Sequence, residues 1–591
     1  MSRSKSRQPG DLRLAATSLY TTYGELRKIG GAPQPVPKGQ LIQRYEALDW
    51  RPTFVELSRI ACVIANDEDG PSSSRVRQMV GDPLAAETNW LGRALRSSAD
   101  VLIAHEEGIH FAEAMTLVYS AEVGGRSPGP GEVAKLLLMG NDYCSTWRDD
   151  SEQGLTRAES SLAGTVRARR LNRYGMRHLD FLRSAALFQT PPPRDAEWCR
   201  PELWQRFQRE AFGMPFEEYF ETFAGILAAL SYTWGQPRET GELPSPSVEP
   251  SVLFALPGMA AEKLTKAFSE LVVTRDQFVD DIGVSRGDED LPLGPAIFSR
   301  KPFIEVDDGT FAAASPWAVR EHLRGGLWAR HLSAAKDGDG GADRWFTAFG
   351  DLFESWCRSK AALASDAGLS DRLIMSDSIG DPDEIEDVVF QDTYSGKRVA
   401  LFSVKASMVP ESAIKEARSP RGVVDWYERF LFARPTTKGS GRRYREGAVR
   451  SLDKTVQSIR SGRYKPKIPV QATIFPVVVT YDDLGEHAGL YQWVRKRCNQ
   501  EKLLQGNKVR PVTFLSATDF EDLLEVAELG TGVLKMLEIK TRGTNAEARF
   551  DVVLDHEIAW VPGKGRRTRD ELSTLIMRLV ERAQQPLKET S

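Results

Sequence analysis

This sequence predicts a multidomain α and α/β protein: an α-helical N-terminal half, a small α+β connector and a C-terminal domain with a mixed sheet. Three observations carry that expectation. The chain has 591 residues, more than one hydrophobic core serves. From about Leu12 to Trp234, apolar residues recur at three- and four-residue spacing, the period of helices with one buried face. From Trp345 the pattern changes to a helix, three strand-like runs, a helix, a strand and a closing helix, an α/β sandwich rather than a doubly wound sheet.

Residues 1–11, "MSRSKSRQPGD" with its last residue at the edge of the helical region, read as a short disordered tail. It is basic, but no apolar stretch follows it, so it is not a secretory signal. The helical domain, 12–234, contains "LIQRYEALDWRPTFVELSRIACVIAND" and "AHEEGIHFAEAMTLVYSAEV", the latter followed by the loop "GRSPGPGEV". In "FGMPFEEYFETFAGILAALSYTW", Pro215 suits a first helical position and acids fill the first turn. Residues 235–251, rich in Pro, Ser and Gly, read as a linker. The connector, 252–340, offers two strands around an Asp-Gly turn in "RKPFIEVDDGTFAAAS" and the helix "PWAVREHLRGGLWARHL". "SAAKDGDGGADR" reads as a second break.

In the C-terminal domain, 341–540, Trp345, Phe349, Leu352, Phe353 and Trp356 fall on one face of a helix. "RLIMSDS", "EIEDVVFQD" and "RVALFSVKAS" are strand-like, with "TYSGK" turning between the last two. "AVRSLDKTVQSIRSG" reads as a helix, "IPVQATIFPVVVTYDD" as a strand interrupted by Pro476, and "TDFEDLLEVAELGTGVLKMLEIK" as a helix or helix pair. Residues 541–591 form a C-terminal extension.

Composition excludes several classes. Hydrophobic residues make up 41% and charged residues 27%, which removes the disordered class. A net charge of −4 means that any nucleic-acid footprint must be local. Five dispersed cysteines form no CxxC pair, so neither a zinc ribbon nor a disulfide framework is indicated, and a cytoplasmic setting is expected. No apolar run reaches the roughly 18–20 residues of a membrane span.

The strongest chemistry-bearing group is Glu354, Asp387, Ser403 and Lys405. Ser403 and Lys405 are two residues apart in a strand and share a face. A hairpin brings Asp387 near Lys405. Acids beside a lysine at a strand end can hold Mg²⁺ or Mn²⁺ through one or two carboxylates plus waters. "EIEDVVFQD…RVALFSVKAS", behind a helix containing a glutamate, resembles the PD-(D/E)XK nuclease superfamily. The resemblance covers roughly Trp345 to Lys540 and implies a restriction-endonuclease-like αβββαβ core. It implies that Asp387 is the motif aspartate, Lys405 the motif lysine, Glu354 the helix acid, and Gln457 the polar position on the following helix. Asp387 and Glu354 would hold the metal. Ser403 stands where the family has Asp or Glu. The missing contact then comes from Glu354, Asp383 or Glu386, or the site has degenerated. The resemblance implies a Mg²⁺-dependent DNA nuclease in restriction, repair or anti-phage defence. The alternative is a nucleic-acid-binding or assembly platform whose helical half contacts a protein partner. A helical scaffold is the remaining class.

Between Arg434 and Lys467 runs a basic stretch opposed only by Glu446 and Asp453. Arg442, Arg443, Arg445, Arg450, Lys454 and Arg460 are candidate phosphate contacts, with Tyr444 and Tyr464 able to stack on bases. "RARRLNRYGMRH" and "KGRRTR" read as solvated faces. "HEEGIH" has the wrong spacing for a two-histidine zinc face, and "GTGVLK" lacks the phosphate-loop pattern.

Overall fold

The computed structural model describes residues 37–66, 106–145, 180–235, 261–282, 300–336, 341–366, 371–374, 386–406, 420–433, 446–482 and 488–548, with 247–248, 553–554 and isolated residues between them. The expected tail (1–11) lies outside them, as do most of the linker and most of the C-terminal extension.

The first helical stretch forms two helices, α1 (Lys38–Glu46) and α2 (Trp50–Asn66). The chain breaks because Leu48 and Asp49 bridge to Arg126 and Ala121. α3 (Glu106–Tyr119) packs on α2, and α4 (Pro130–Ser145) on α3. α5 (Asp180–Gln189), α6 (Pro201–Phe212) and α7 (Phe216–Gly235) follow. Gly213, at φ 68°, supplies the left-handed cap that ends α6.

A small mixed sheet comes next, ordered β1 (Ser247–Val248), β4, β3, β2. Ser247–Val248 lie within the stretch expected to be linker, yet pair antiparallel with β4. α8 (Ala261–Ser269), β2 (Val272–Val273) and α9 (Arg275–Ile282) lead to β3 (Phe303–Asp307) and β4 (Thr310–Ala313). These last two are the hairpin that the Asp-Gly signal predicted. Ser315 then caps α10 (Pro316–Glu321), its Oγ accepting from Ala318 N at 3.0 Å. A π-helical turn, His322–Gly326, joins α10 to α11 (Leu327–Lys336).

The long helix α12 (Gly341–Asp366) buries the aromatic stripe read from the sequence. It serves two neighbours at once. Trp345 and Phe349 pack against Phe188, Trp204 and His331, while Phe353 meets Tyr481 and Trp356 meets Phe520. His331 is fully buried in this aromatic box, its ring parallel to Trp345 at 4.9 Å. Its Nδ1–H donates to Leu327 O at 2.8 Å, and Nε2 faces the Gln208 amide at 3.4 Å.

The second sheet runs β5 (Asp371–Leu373), β6 (Val388–Asp392), β7 (Arg398–Lys405), β8 (Thr473–Thr480), β9 (Thr513–Ser516) in that spatial order. β5, β6 and β7 pair antiparallel, with Val388 opposite Phe402. β8 lies parallel to β7, placing Thr480 beside Lys405, and β9 lies parallel to β8. Asp392 fixes the β6–β7 turn by accepting from Tyr394 N and Ser395 Oγ. Pro476 is tolerated inside β8 for a local reason. Ile474 N donates towards the β9 side, to Lys508 O, and the two-residue repeat puts position 476 on that side too. Pairing with β9 begins only at Val477, so the missing N–H falls outside both ladders.

Side chains alternate across this sheet. Val388, Phe390, Phe402, Val404, Phe475 and Val477 face α12, α16 (Ala517–Val526) and α17 (Val533–Lys540). Val389, Val399, Leu401, Ile474 and Val478 face α13 (Pro420–Phe432), α14 (Ala448–Arg460) and α15 (Ala488–Glu501). α13 was not among the expected elements. Gly530 and Gly532, at φ 103° and 78°, break the closing run into α16 and α17. The buried Asp371 of β5 accepts from Leu534 N at 2.9 Å and caps α17, which has no side-chain cap of its own.

The parts expected as separate domains share buried surface. One apolar cluster runs from Cys62 through Trp204, Phe303 and Trp345 to Phe402, Phe520 and Leu554. Arg183 of α5 is buried against Glu521 of α16 at 2.5 Å, and Ser184 meets Tyr481 at 2.6 Å. Among the described residues no helix is long and apolar enough to cross a membrane.

Candidate active site

The β6–β7 hairpin gathers the charged residues at one end of the sheet, beside α12 and α14. Asp387, just before β6, points Oδ2 at Val404 N, 2.7 Å away on β7. Its carboxyl is pushed up to about 7, first by burial and then by the like charge of Glu354. Lys405 offsets part of this, and Glu386 adds to it.

Glu386 is buried, and burial raises its pKa. Lys405 is the largest opposing influence. Ser451 Oγ and Thr455 Oγ1 of α14, one helical turn apart, both donate to Glu386 Oε1 at 3.0 Å. Ser403 is fully buried beside this carboxylate. Its hydroxyl favours the charged form weakly, without closing a hydrogen bond of good geometry. The carboxylate that accompanies Lys405 thus comes from Glu386, not from position 403. Lys405 is half-buried and makes no direct ion pair among the described residues.

Glu354 is held differently. Arg194 donates to both of its oxygens, at 2.6 and 3.0 Å, and Arg358, one turn along α12, pairs with it at 2.5 Å. Arg358 Nε also donates to Asp387 O at 3.0 Å, tying the helix to the start of β6. With both oxygens engaged by guanidinium groups, Glu354 does not fit the metal-holding role expected of it.

Asp387 and Glu386 are the carboxylates that a small hard cation would use here. Mg²⁺ needs only one or two carboxylates plus waters. Among the described residues, Asp387 Oδ1 and Glu386 Oε2 carry no hydrogen bond of good geometry, and the Ser403 hydroxyl beside them is buried without a partner. Crowded like charge at Asp387 is relieved by a bound cation. No group of three or more His, Cys, Asp or Glu suited to a metal forms among the described residues.

The expected nucleic-acid contacts need correction. Arg450 donates to Phe432 O and pairs with Glu501; Arg460 donates to Val470 O and Ala472 O. These arginines close the ends of neighbouring elements. Tyr464 is buried in the core behind α14 and cannot stack on a base. Gln457 is exposed, two residues from Thr455 and so on a different face of α14 from the site. Lys454 is exposed and accessible to a ligand. Arg442, Arg443, Tyr444, Arg445 and Asp383 lie outside the described residues.

Of the two "HEEGIH" histidines, His105 lies outside the described residues and His110 is internal structure. His110 contacts Glu113 at 3.0 Å and Ser315 Oγ at 3.2 Å, all three buried, with Ser315 already serving as the α10 cap. Comparison with protein-family models, with curated proteins and with solved structures gives no match to this chain.

Proposed function

We propose that this protein is a metal-dependent DNA nuclease of the PD-(D/E)XK type, with Glu386 standing in for the acid that Ser403 replaces. The observation that carries this reading is the meeting of Asp387, Glu386, Ser403 and Lys405 at one end of the β6–β7 hairpin. The surrounding order of α12, three antiparallel strands, α14 and the parallel strand β8 supports the αβββαβ reading, with α13 an added helix between β7 and α14.

Asp387 and Glu386 would hold Mg²⁺, which when bound supplies positive charge at a phosphodiester and acidifies a water molecule. Val404 N orients the Asp387 carboxylate, and Ser451 and Thr455 orient Glu386. Both acids are thereby presented without rearrangement. Lys405, without a direct ion pair among the described residues, can place its ammonium against a phosphate oxygen and offset charge there as the phosphorus becomes five-coordinate. The resemblance suggests a setting in restriction, repair or anti-phage defence.

A second reading is favoured by Ser403 and by the arginine pairing of Glu354: a nucleic-acid-binding or assembly platform on a degenerate site. One experiment separates the two. The protein is incubated with single-stranded, double-stranded and supercoiled DNA in Mg²⁺, Mn²⁺ or EDTA, alongside Lys405→Ala and Asp387→Asn. The nuclease reading expects metal-dependent cleavage lost in both variants. Cleavage that persists in both overturns the site. Salt-sensitive binding without cleavage establishes the platform instead.

A further inference from the structure

We infer that Arg194, from the helical half, is a phosphate-contacting residue of the same site, so that the substrate surface is shared between the two halves of the chain. This rests on the nuclease reading above. Arg194 uses two of the five N–H donors of a guanidinium on Glu354. Nη1 also faces Asp351 Oδ1 at 3.7 Å, too long for a hydrogen bond, so Nε–H and the outer hydrogen of each Nη remain to donate. Its side chain is 53% exposed, whereas Glu354 beneath it is 15% exposed. The carboxylate therefore acts as an anchor that holds the charged fork at the surface. Arg358, which shares Glu354 with Arg194, donates from Nε to Asp387 O at 3.0 Å, so the anchor of the fork is tied to the residue that opens β6. Arg194 is not simply neutralising a buried acid, because Arg358 already pairs with Glu354 from the same helix.

The segment carrying Arg194 is built to be rigid. Three prolines, Pro191 to Pro193, fix φ immediately before it. Asp195, immediately after it, accepts from Glu197 N and Trp198 N at 2.9 and 2.7 Å and receives Arg344 at 2.7 and 3.0 Å. Arg344 in turn lies 4.1 Å over the Trp198 ring. A guanidinium held on a rigid segment, anchored by Glu354 with Asp351 beside it and half exposed to solvent, suits the oxygens of a nucleic-acid phosphate. A tie between two structural elements would need neither the exposure nor the spare donors.

The test is fluorescence anisotropy with labelled single- and double-stranded DNA in EDTA, so that binding is read without cleavage, across a salt series. Arg194→Ala is expected to weaken binding about five- to tenfold and to lower the slope of log affinity against log salt by about one. Arg194→Lys should restore the slope but only part of the affinity, since an ammonium lacks the fork. Arg206→Ala removes the same charge from an exposed position on α6 and should change neither quantity. If Arg194→Ala binds like Arg206→Ala, Arg194 only ties the segment between α5 and α6 to α12, and this inference falls while the nuclease reading stands. If the unaltered protein binds neither form of DNA, the nuclease reading itself falls, and this inference with it.

Discussion

His331 makes the pH response of the fold calculable. Burial in the box of Trp345, Phe188, Trp204 and Phe212 lowers its pKa to about 3. The Nδ1–H bond to Leu327 O works in the opposite direction, and nearby Arg330 adds to the lowering. In the unfolded chain the ring titrates near about 6.5. Because the folded value is the lower one, the unfolded state binds the extra proton. The stability of the neutral ring is complete above about pH 6.5 and is lost as pH falls towards about 3. Between pH 7.5 and pH 5 the loss from this one residue is about 2 kcal/mol. His331→Phe keeps an aromatic ring against Trp345 but cannot be protonated. Gln208 still donates to Phe188 O at 2.8 Å in that variant. Urea denaturation of both proteins at the two pH values isolates the effect: the midpoint of the variant should fall less on acidification, by the equivalent of about 2 kcal/mol. Equal pH dependence in the two proteins would refute the reasoning, since it would mean that the box admits a charged imidazole.

Arg183→Met should destabilise the protein by about 3–5 kcal/mol by leaving Glu521 buried without its cation. Adding Glu521→Leu should recover most of that loss, measured by a double-mutant cycle in urea. Gly447→Ala would bring a Cβ to 2.5 Å from the Leu431 carbonyl carbon, so α13 and α14 must separate. The expected cost is about 1–3 kcal/mol, read as a lower denaturation midpoint with unchanged m. Glu386→Gln should split stability from activity. Burial raises the Glu386 pKa above its ordinary 4.5, so stability is complete below that value and falls as pH rises through the folded-state value. The neutral amide should therefore raise the midpoint at pH 7.5, while DNA cleavage drops about 100-fold or more.

Much of the fold was legible because its signals are local. "VVFQD" and "RVALFSVK" follow one another across a Gly-containing turn, so their pairing needs no long-range information. The helix stripe from Trp345 to Trp356 repeats at the period of a buried face, and all five residues are buried. Asp387 and Lys405 were readable as neighbours for the same reason. The misplaced residues depend on direction and distance. Arg450 and Arg460 look like phosphate contacts in a run of charge, but from α14 they reach open backbone carbonyls. Ser451 and Thr455 look like ordinary solvated positions until their helix lies over Glu386. α13 has Val423, Val424, Tyr427 and Leu431 at helical spacing, diluted by Arg421, Asp425 and Arg429. Arg194 meets Glu354 from far upstream, and nothing near either residue announces the other.

The double duty of α12 has a consequence for synthesis. During translation, Phe188, Trp204 and Phe207 leave the ribosome long before Trp345 and Phe349, which pack over them in the finished protein. Until that helix emerges, the nascent helical half carries an uncovered aromatic surface, the kind of surface that chaperones recognise. Completion of the N-terminal half is thus coupled to emergence of the helix that also packs against the sheet carrying the candidate site.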